Sequence, residues 1–515
     1  MNHPFATRAL SLCRTALLAA ALSALAPPMS FAQVEIDPAR PTGAMVRYFA
    51  WDLKGWKDVA NSLERAQKLY GDTPANMVRI SMEATAHRED GSVDESLYGP
   101  MFTSIANIRS VNPGVKIFAS LKLKEADTFP AWVASDEDGT IFNAKVKCPD
   151  PKKFGRLVAD YIVWLSKKDI ALDFLGLNNE VNEALTAKRY VETAKVLMEE
   201  LGKRGLDAKF RSFQFVGAEG FGVPTSIRYA EATKSSRGLD YAHIWGSHFY
   251  PDLNSGSIDD WAKLAKVAPD RPLWHTELHM RESDDPAENI AKVRDGLAIL
   301  FKTNQAGVQG YGWWARAHED DKFANLIRRK AIVSLLGGAC IKTSGQYEAK
   351  DNKPAAELAQ ATRVGDTVWL WYCNPGQANA ELPILLKSGS ATKASGERWS
   401  GGGTANAQTL GTLDVSVTDG AKVIVKNLPA TSVALVRIDL TASAATPAKN
   451  GNGGVLVADR EWSSADPNAR KILAALVSVS NGTGHFKRPD GNTFDYPLSK
   501  LSAADRQIAE DAAAK

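Results

Sequence analysis

Two glutamates of this sequence have surroundings that suit a pair of catalytic carboxylates. Glu180 follows Asn179 just after the apolar run 172–177, and Glu277 comes near the end of another apolar run, 271–278. In glycosidic cleavage, one carboxylic acid protonates the leaving oxygen and a second, ionised carboxylate attacks the anomeric carbon. Because the two glutamates are distant in the sequence, they can act together only in a fold that brings the carboxyl ends of these two runs close together in space.

The segment from residue 45 to about 340 alternates short, β-rich apolar runs with longer segments of helical periodicity. The strand-like runs are 45–51, 76–82, 115–121, 172–177, 213–218, 243–250, 271–278 and 310–315. In one intervening segment, Leu157, Tyr161 and Trp164 recur at helical spacing. Eight strand–helix units in about three hundred residues predict an α/β fold, the (β/α)8 or TIM barrel. A doubly wound open sheet is the alternative, disfavoured because no glycine-rich turn follows the first strand.

The reacting groups of such a barrel lie at the carboxyl ends of its strands. Those ends carry Arg79 (second strand), Asn179 and Glu180 (fourth), Glu219 (fifth), His248 and Tyr250 (sixth), Glu277 (seventh), and Trp313 and Trp314 (eighth). Two glutamates from opposite sides of a mouth with aromatic walls suit a sugar substrate, since flat rings pack on its apolar faces. Neighbouring residues of a strand face opposite sides, so only one of the two tryptophans should reach the cleft.

A second Asn-Glu pair, Asn182-Glu183, lies three residues beyond the first. Taken alone, either dipeptide is more often a helix start, with Asn as the cap and Glu in the first turn. Glu180 is the first carboxylate past the strand, whereas Glu183 lies where the chain should already turn towards the next helix. We therefore predict that Glu183 supplies first-turn charge and that Glu180 is the reacting residue. Glu219 remains open between substrate binding and an ordinary strand-end carboxylate.

Two other functions compete with glycosidic cleavage. His275, Glu277 and His279 alternate and would share one face of a strand, with His248 nearby, as in a metal-dependent barrel hydrolase. The spacing is not the helical H-E-x-x-H pattern, so we expect no metal and no cofactor. The other alternative is a carbohydrate-binding barrel without activity, which would not need glutamates at both strand ends. Measuring hydrolysis with and without a chelator separates the three functions.

Changes in composition divide the chain. The N-terminus has Arg8 and Arg14, a short apolar run and small residues at Ser30 and Ala32, typical of a secretory signal peptide. Alternating strands after residue 345 predict an antiparallel β-sandwich, and a stretch of small residues predicts a linker. The predicted divisions are signal peptide 1–32, barrel 33–344, β-sandwich 345–440, linker 441–457 and a third unit 458–515.

Charge and cysteine content exclude several classes of partner. The net charge of +3 falls to +1 without the signal peptide, so neither nucleic acid nor a membrane surface is an expected partner. The apolar run of the signal peptide is too short to span a membrane, and we expect a secreted or periplasmic protein.

The cysteines left after cleavage, Cys148, Cys340 and Cys373, form neither a disulfide framework nor a metal motif. One disulfide bridge among them remains open.

The order of these segments resembles clan A of the retaining glycoside hydrolases, most closely family 30, over residues 45–440. The strand-four motif of that family, of Gln-Asn-Glu-Pro type, corresponds to 178–181, with Val181 in place of the proline. Its strand-seven motif Trp-x-Thr-Glu corresponds to 274–277. The segment "FASLKLKEADTFPAWV" is similar to strand three of the family and places Trp132 near the cleft.

This resemblance implies a retaining β-glycosidase that acts on a polysaccharide or oligosaccharide. It implies Glu180 as acid/base and Glu277 as nucleophile, with Arg79 keeping Glu277 ionised. Tyr250 would hydrogen-bond the nucleophile, and Asn179 would contact the 2-hydroxyl of the substrate. The two glutamates need opposed environments, because one must be charged and the other must hold a proton.

The segment 459–510 resembles the Sla1 homology domain 1 module. Arg460, Trp462, the turn "RPDGNT" and "YPLSKLSAAD" with Asp505 carry the resemblance, which implies a small SH3-like barrel that binds a protein or peptide. A structural spacer is the alternative. Independently, Ser502 with an acid three residues later predicts a helix start.

Overall fold

The computed structural model describes residues 33–123, 129–141, 144–250, 255–280, 283, 285–317, 323–344, 358–374, 380–401, 408–441, 456–465, 472–480, 482–487 and 493–513. The predicted signal peptide, most of the predicted linker and most of the "RPDGNT" turn lie outside this part of the chain. Two compact units are present. One comprises the described residues up to 441 except 268–272, and the other contains those from 456 onwards.

Eight parallel strands of the first unit close into a barrel. With strands numbered along the chain, they are β2 (Tyr48–Asp52), β3 (Met77–Glu83), β4 (Lys116–Lys122), β7 (Phe174–Gly176), β8 (Gln214–Gly220), β9 (Ile244–His248), β10 (Leu273–Leu278) and β11 (Val308–Trp313). Each overlaps one predicted run, and β10 pairs with both β9 and β11. The predicted (β/α)8 barrel is confirmed, and the open sheet is wrong because the strands close.

Helices follow the barrel strands and cover them from outside. They are α1 (Leu63–Ala66, continued by one wider turn Gln67–Gly71), α2 (Met101–Val111), α3 (Pro151–Ser166), α4 (Ala187–Lys203), α5 (Val223–Ser235), α6 (Ile258–Val267), α7 (Pro286–Gln305) and α8 (Phe323–Leu335). Helix α3 begins after Asp150, whose carboxylate accepts the amides of Lys152 and Lys153 at 2.9 and 3.0 Å. Its predicted apolar stripe, including Leu157 and Tyr161, is buried.

An apolar layer fills the barrel interior below the strand ends. Seven of the eight strands each contribute one buried residue to it: Ala50, Met77, Phe118, Phe174, Val216, Ile244 and Trp274. This layer makes the barrel a packed core rather than a pore. Polar side chains at the carboxyl ends of the strands therefore lie above an apolar floor, facing the mouth.

The second sheet of this unit has nine strands whose hydrogen bonding also closes. They are β1 (Val34–Pro41), β12 (Ala339–Thr343), β13 (Leu358–Val364), β14 (Thr367–Asn374), β15 (Ala380–Leu386), β16 (Ala391–Gly401), β17 (Gln408–Val417), β18 (Lys422–Leu428) and β19 (Ser432–Leu440). The predicted barrel range 33–344 thus includes two strands, β1 and β12, that belong to this sheet. The reason is apolar burial, since Val34 and Ile36 pack in the core of this sheet.

Two smaller sheets complete the described chain. The hairpin of β5 (Ala134–Ile141) and β6 (Ala144–Pro149) lies between β4 and α3 and was not predicted. The C-terminal unit has four strands, β20 (Val457–Trp462), β21 (Ile472–Ser480), β22 (Thr483–Lys487) and β23 (Thr493–Pro497), and helix α9 (Ala503–Ala513). The Ser502 hydroxyl accepts the amide of Asp505 at 3.2 Å, as expected at a helix start. The Asp505 carboxylate in turn accepts from Arg460 at 2.7 Å.

The cysteines of the described residues are not paired. Cys148, Cys340 and Cys373 are free and buried. Burial raises the pKa of the Cys373 thiol to about 12 and also raises the pKa of Cys340, so neither is a reactive thiolate at neutral pH. None of the described helices combines the length and apolar character needed to cross a bilayer.

We predict that a chain ending after Thr441 folds cooperatively and keeps any activity of the barrel. Thr441 itself should be kept, because its amide donates to the Ser390 carbonyl at 2.7 Å. The two-unit division and the small-residue sequence that follows support this cut. Thermal unfolding and hydrolysis of the shortened and full chains are the measurements. Loss of soluble protein on shortening would contradict the predicted domain boundary.

Candidate active site

Glu180 and Glu277 face each other across the mouth of the barrel, with His248 between them. Carboxylate oxygens of the two glutamates and a ring nitrogen of His248 all lie within 4.8 Å of one another. Nδ1 of His248 is 2.5 Å from Oε1 of Glu180, and its Nε2 is 3.6 Å from Oε1 of Glu277. The fold thus brings together one carboxylate from the turn after β7 and one from β10.

The surroundings of Glu277 stabilise its charged form. Lys54 Nζ lies 3.0 Å from Oε1, which also accepts from Arg79 Nη1, and the Tyr250 hydroxyl donates to Oε2 at 2.7 Å. Burial alone raises the pKa of Glu277, but His248, Lys54 and Arg79 outweigh it and hold that pKa well below its usual range. Glu277 is therefore an ionised carboxylate at neutral pH.

Glu180 sits on a strained turn directly beyond β7. Its φ is 64°, in the left-handed region that residues other than glycine seldom adopt, and its amide donates to the Glu219 carbonyl at 2.9 Å. The side chain is 16% exposed, which leaves it open to a substrate above the barrel. Val181 donates its amide to Oδ1 of Asn178 at 3.1 Å, a bond that proline could not make.

Glu219 is a third carboxylate, placed beneath the other two. Ala218 and Glu219 have φ of 68° and 44°, and the pairing of β8 with β9 shifts register there. Glu219 accepts from Arg79 Nη2 at 3.0 Å and from Ser120 at 3.1 Å, and burial raises its pKa. A Cβ at Gly176 would lie 1.8 Å from its Oε2, so only glycine fits there. Glu219 is fully buried, which favours the ordinary strand-end carboxylate over the substrate contact, the two alternatives that the sequence left open.

Arg79 links these acidic groups from the centre of the barrel. It is fully buried and contacts Asp52 at 3.2 Å, Asn179 at 2.8 Å and both Glu219 and Glu277. Burial lowers the pKa of the guanidinium, but the carboxylates outweigh this and raise it above its usual value. Arg79 is thus a permanent cation whose planar fork orients several partners at once.

The predicted metal-binding face of β10 does not form. His275 packs against Trp261 and Phe249, with ring centroids 5.2 and 6.3 Å away, and burial lowers its pKa to about 3. Glu277 should face the same way by alternation, but the register of β10 shifts against β9 between the two residues. This irregularity turns Glu277 into the mouth. His279 instead lies 5.5 Å from the ring of Trp314.

The donors that meet at the mouth suit a cation poorly. Among the described residues, Glu180, His248 and Glu277 are the group of potential ligands that lies close together. Lys54 and Arg79 already place two positive charges on Glu277, and a divalent ion beside them would meet electrostatic repulsion. The site therefore favours acid–base and nucleophilic chemistry over metal chemistry.

The aromatic residues divide between core and mouth. Trp313 is fully buried with its ring 6.3 Å from that of Phe49, so it is the core member of the pair and does not reach the cleft. Trp314 is partly exposed, and its ring centroid lies 5.0 Å from that of Trp56. Strand alternation explains the difference, as predicted for this pair. Trp132 donates its indole to the His87 carbonyl at 3.0 Å, and no described contact joins it to the glutamates.

The second Asn-Glu pair has a structural role. Asn182 donates its amide to the Ala218 carbonyl at 2.9 Å and so supports the strained end of β8. Glu183 is exposed and hydrogen-bonds Thr140 of β5. The prediction that Glu183 lies in a helical first turn is wrong, because α4 starts only after Thr186, which caps it.

Sequence reasoning missed three polar residues of this site. Lys54 lies two positions past β2, Asp52 ends that strand, and Ser120 lies on β4. Each contacts Arg79 or its partners: Asp52 and Ser120 bind Arg79 directly, and Lys54 binds Glu277. The sequence does carry a signal for Asp52 and Lys54, because they lie at the carboxyl end of the first barrel strand, where a barrel presents its reacting groups.

Comparison with solved structures identifies the fold. A family 30 endoxylanase from Clostridium papyrosolvens C71 aligns with a TM-score of 0.58 and 16% identity, over 79% of this chain and 100% of that one. A family 30 subfamily 8 xylanase from Clostridium acetobutylicum gives 0.56 and 17%, over 79% and 99%. An endo-β1,6-glucanase gives 0.50 and 13%, over 80% and 95%. This chain has the fold of these glycoside hydrolases.

That result confirms the predicted resemblance to clan A and family 30 at the level of the fold. At such low identity the alignment carries the fold alone, and the residues at the barrel mouth must carry the argument for activity. No protein-family model and no curated protein matches the chain. The resemblance of the C-terminal unit to the Sla1 homology domain 1 stays a prediction.

Proposed function

We propose that this protein is a retaining β-glycoside hydrolase that cleaves a polysaccharide or oligosaccharide. The observation that carries the proposal is the pair Glu180 and Glu277, whose carboxylate oxygens lie within 4.8 Å of each other in opposed environments. Glu277 is held ionised by Lys54 and Arg79, whereas Glu180 is partly exposed and hydrogen-bonded to His248. A nucleophile and a general acid need these two settings.

The reaction proceeds in two displacements. Glu180 donates its proton to the glycosidic oxygen while a Glu277 oxygen attacks the anomeric carbon, so the carbon–oxygen bond breaks as a glycosyl ester forms. The leaving sugar departs as an alcohol. Glu180, now ionised, takes a proton from water, which attacks the same carbon and releases Glu277. Arg79 and the Tyr250 hydroxyl hold the nucleophile in place through Oε1 and Oε2.

The short gap between the carboxylates supports retention. Retaining enzymes place their carboxyl groups about 5–5.5 Å apart, whereas inverting enzymes leave roughly 6.5–9.5 Å for an attacking water. We predict that the first-formed sugar has the anomeric configuration of the substrate. Proton NMR of the earliest product, before mutarotation, measures this directly. A first product of opposite configuration would contradict the nucleophilic role of Glu277.

The substrate class is tested by direct hydrolysis. The xylanases and the endo-β1,6-glucanase that share the fold support a polysaccharide, and Trp56 with Trp314 offers an aromatic corner for a sugar face. Xylan, β-1,6-glucan and galactan should be incubated with the enzyme and assayed for new reducing ends. Release from at least one of them is expected. Tight binding without release from any would favour the non-catalytic carbohydrate-binding barrel instead.

The parts of the chain outside the barrel also have proposed roles. The nine-strand sheet would be the β-sandwich that accompanies it, and the C-terminal unit would be an SH3-like module that binds a peptide. The basic, apolar and small-residue segments of 1–32 support export with cleavage before Gln33. Buried Trp462 and Phe486 in the core of the C-terminal unit support an independent fold.

A further inference from the structure

Lys54 occupies a central place at the barrel mouth. Its Nζ lies 2.8 Å from Oδ1 of Asn179 and 3.0 Å from Oε1 of Glu277, and its side chain is only 10% exposed. A lysine so enclosed loses side-chain entropy and hydration, so its retention needs compensating contacts. Here the two contacts are with Glu277, the proposed nucleophile, and with Asn179, the neighbour of the proposed acid/base Glu180.

The loop that carries Lys54 is held by other site residues. Asp52 accepts the Gly55 amide at 2.9 Å through Oδ1 and binds Arg79 through Oδ2 at 3.2 Å. The Lys54 carbonyl accepts from Lys122 at 3.1 Å. These bonds fix the turn that carries the Lys54 ammonium. A residue that positions other groups needs such a fixed backbone.

Asn179 receives two cationic donors on one atom. Oδ1 accepts from Lys54 Nζ at 2.8 Å and from Arg79 Nη2 at 2.8 Å. Lysine and arginine can only donate, so the amide oxygen must face them and the amide nitrogen must point away from both. The side chain is partly exposed, and its nitrogen is then a donor available to a substrate hydroxyl.

We propose that Lys54 is a positioning residue that keeps Glu277 charged and turns the amide nitrogen of Asn179 towards the substrate. This proposal rests on the glycosidase function proposed above and deepens it. Lys54 shares Oε1 of Glu277 with Arg79, so the nucleophile has two fixed cations rather than one. A second cation extends the acidic range in which Glu277 stays ionised.

Besides Lys54, several other groups face the Glu277 carboxylate and influence its pKa. Arg79 comes from β3, His248 from β9, and Tyr250 from just beyond β9. Glu180 is connected to this set of residues through its hydrogen bond to His248. Arg79, whose pKa is raised above its usual value, stays charged across the acidic range. Removal of the Lys54 ammonium should therefore raise the pKa of Glu277 while Arg79 is left in place.

The test compares Lys54→Met with Lys54→Arg and a matched control, Lys57→Met. Lys57 lies on the same loop, but its ammonium pairs with Glu83 at 2.6 Å. The first readout is kcat/KM against pH on the polysaccharide that proves to be the substrate. The second needs no activity: infrared difference spectra between each protein and its Glu277→Gln partner follow the Glu277 carboxyl as pH changes.

For Lys54→Met we expect the acid limb of kcat/KM to move to higher pH, with a further loss of about tenfold at the acid end relative to the plateau. The infrared titration of Glu277 should move the same way. Lys54→Arg should restore both, and Lys57→Met should move neither. An equal loss at every pH with an unmoved infrared titration would overturn the proposal. If wild type cleaves no substrate, the proposed function fails, but the infrared titration still decides the role of Lys54.

Discussion

Replacement of Glu180 by alanine is expected to slow hydrolysis of polysaccharide by about 10²–10⁴-fold. The partly exposed Glu180 is the group placed to protonate a poor leaving oxygen, 2.5 Å from His248 and opposite Glu277. An aryl glycoside with a very good leaving group does not need that proton, so its first step should be spared. Azide should then attack the glycosyl-enzyme and give a glycosyl azide of retained configuration.

Glu183→Ala is the matched control for this result. Glu183 belongs to the neighbouring Asn-Glu pair and is exposed, with its contact to Thr140 on the hairpin of β5 and β6. Most activity should remain in this variant, and azide should have no effect on it. Azide rescue of Glu183→Ala, together with none for Glu180→Ala, would show that the wrong pair has been assigned.

Replacement of Glu277 by alanine should have the largest effect, a loss of about 10⁵-fold in kcat, because the covalent intermediate can no longer form. The cavity left beside Arg79 and Tyr250 can admit a small anion, since both donors remain. Azide should then react with an activated glycoside directly and give a glycosyl azide of inverted configuration. Product configuration thus separates the nucleophile from the acid/base.

Glu219→Gln provides the comparison for Glu277. Both carboxylates bind Arg79, but Glu219 is fully buried and burial raises its pKa. Glutamine can still accept from Arg79 and Ser120, so the loss should stay within about tenfold, the value of one hydrogen bond. A loss as large as that of Glu277→Ala would instead assign the nucleophile to Glu219 and refute the assignment of Glu277.

The features that depend on local pattern were predictable from sequence. The eight barrel strands overlap the apolar runs, because apolar alternation and helical spacing are local properties of the chain. Strand ends identify which residues a barrel presents, so the sequence alone points to Arg79, Glu180 and Glu277. Asn179 and Tyr250 also lie at strand ends. The structure joins all five residues, because Arg79 binds Asn179 and Glu277, and Tyr250 binds Glu277. Glu180 joins them through its amide bond to the carbonyl of Glu219, whose carboxylate binds Arg79.

The irregular features were not predictable, because they depend on contacts between distant segments. A regular β10 would direct Glu277 with His275 towards the helices, and only the register shift against β9 aims it at Arg79. The left-handed backbone at Glu180 is held by a bond to the Glu219 carbonyl on another strand. Lys54 lies in the site on a loop that Asp52 and Lys122 hold by hydrogen bonds to Gly55 and to the Lys54 carbonyl.

By itself, then, the sequence determined that the chain folds as a barrel and which strand ends offer carboxylates. Local apolar periodicity is enough for this, since it selects the strands and the barrel presents their carboxyl ends. Only the tertiary structure decided which side chains meet there. In the folded protein Trp313 is buried, β1 pairs within the second sheet, and Lys54 forms an ion pair with Glu277. These features depend on packing, strand register and charge pairing, which arise between residues far apart in the chain.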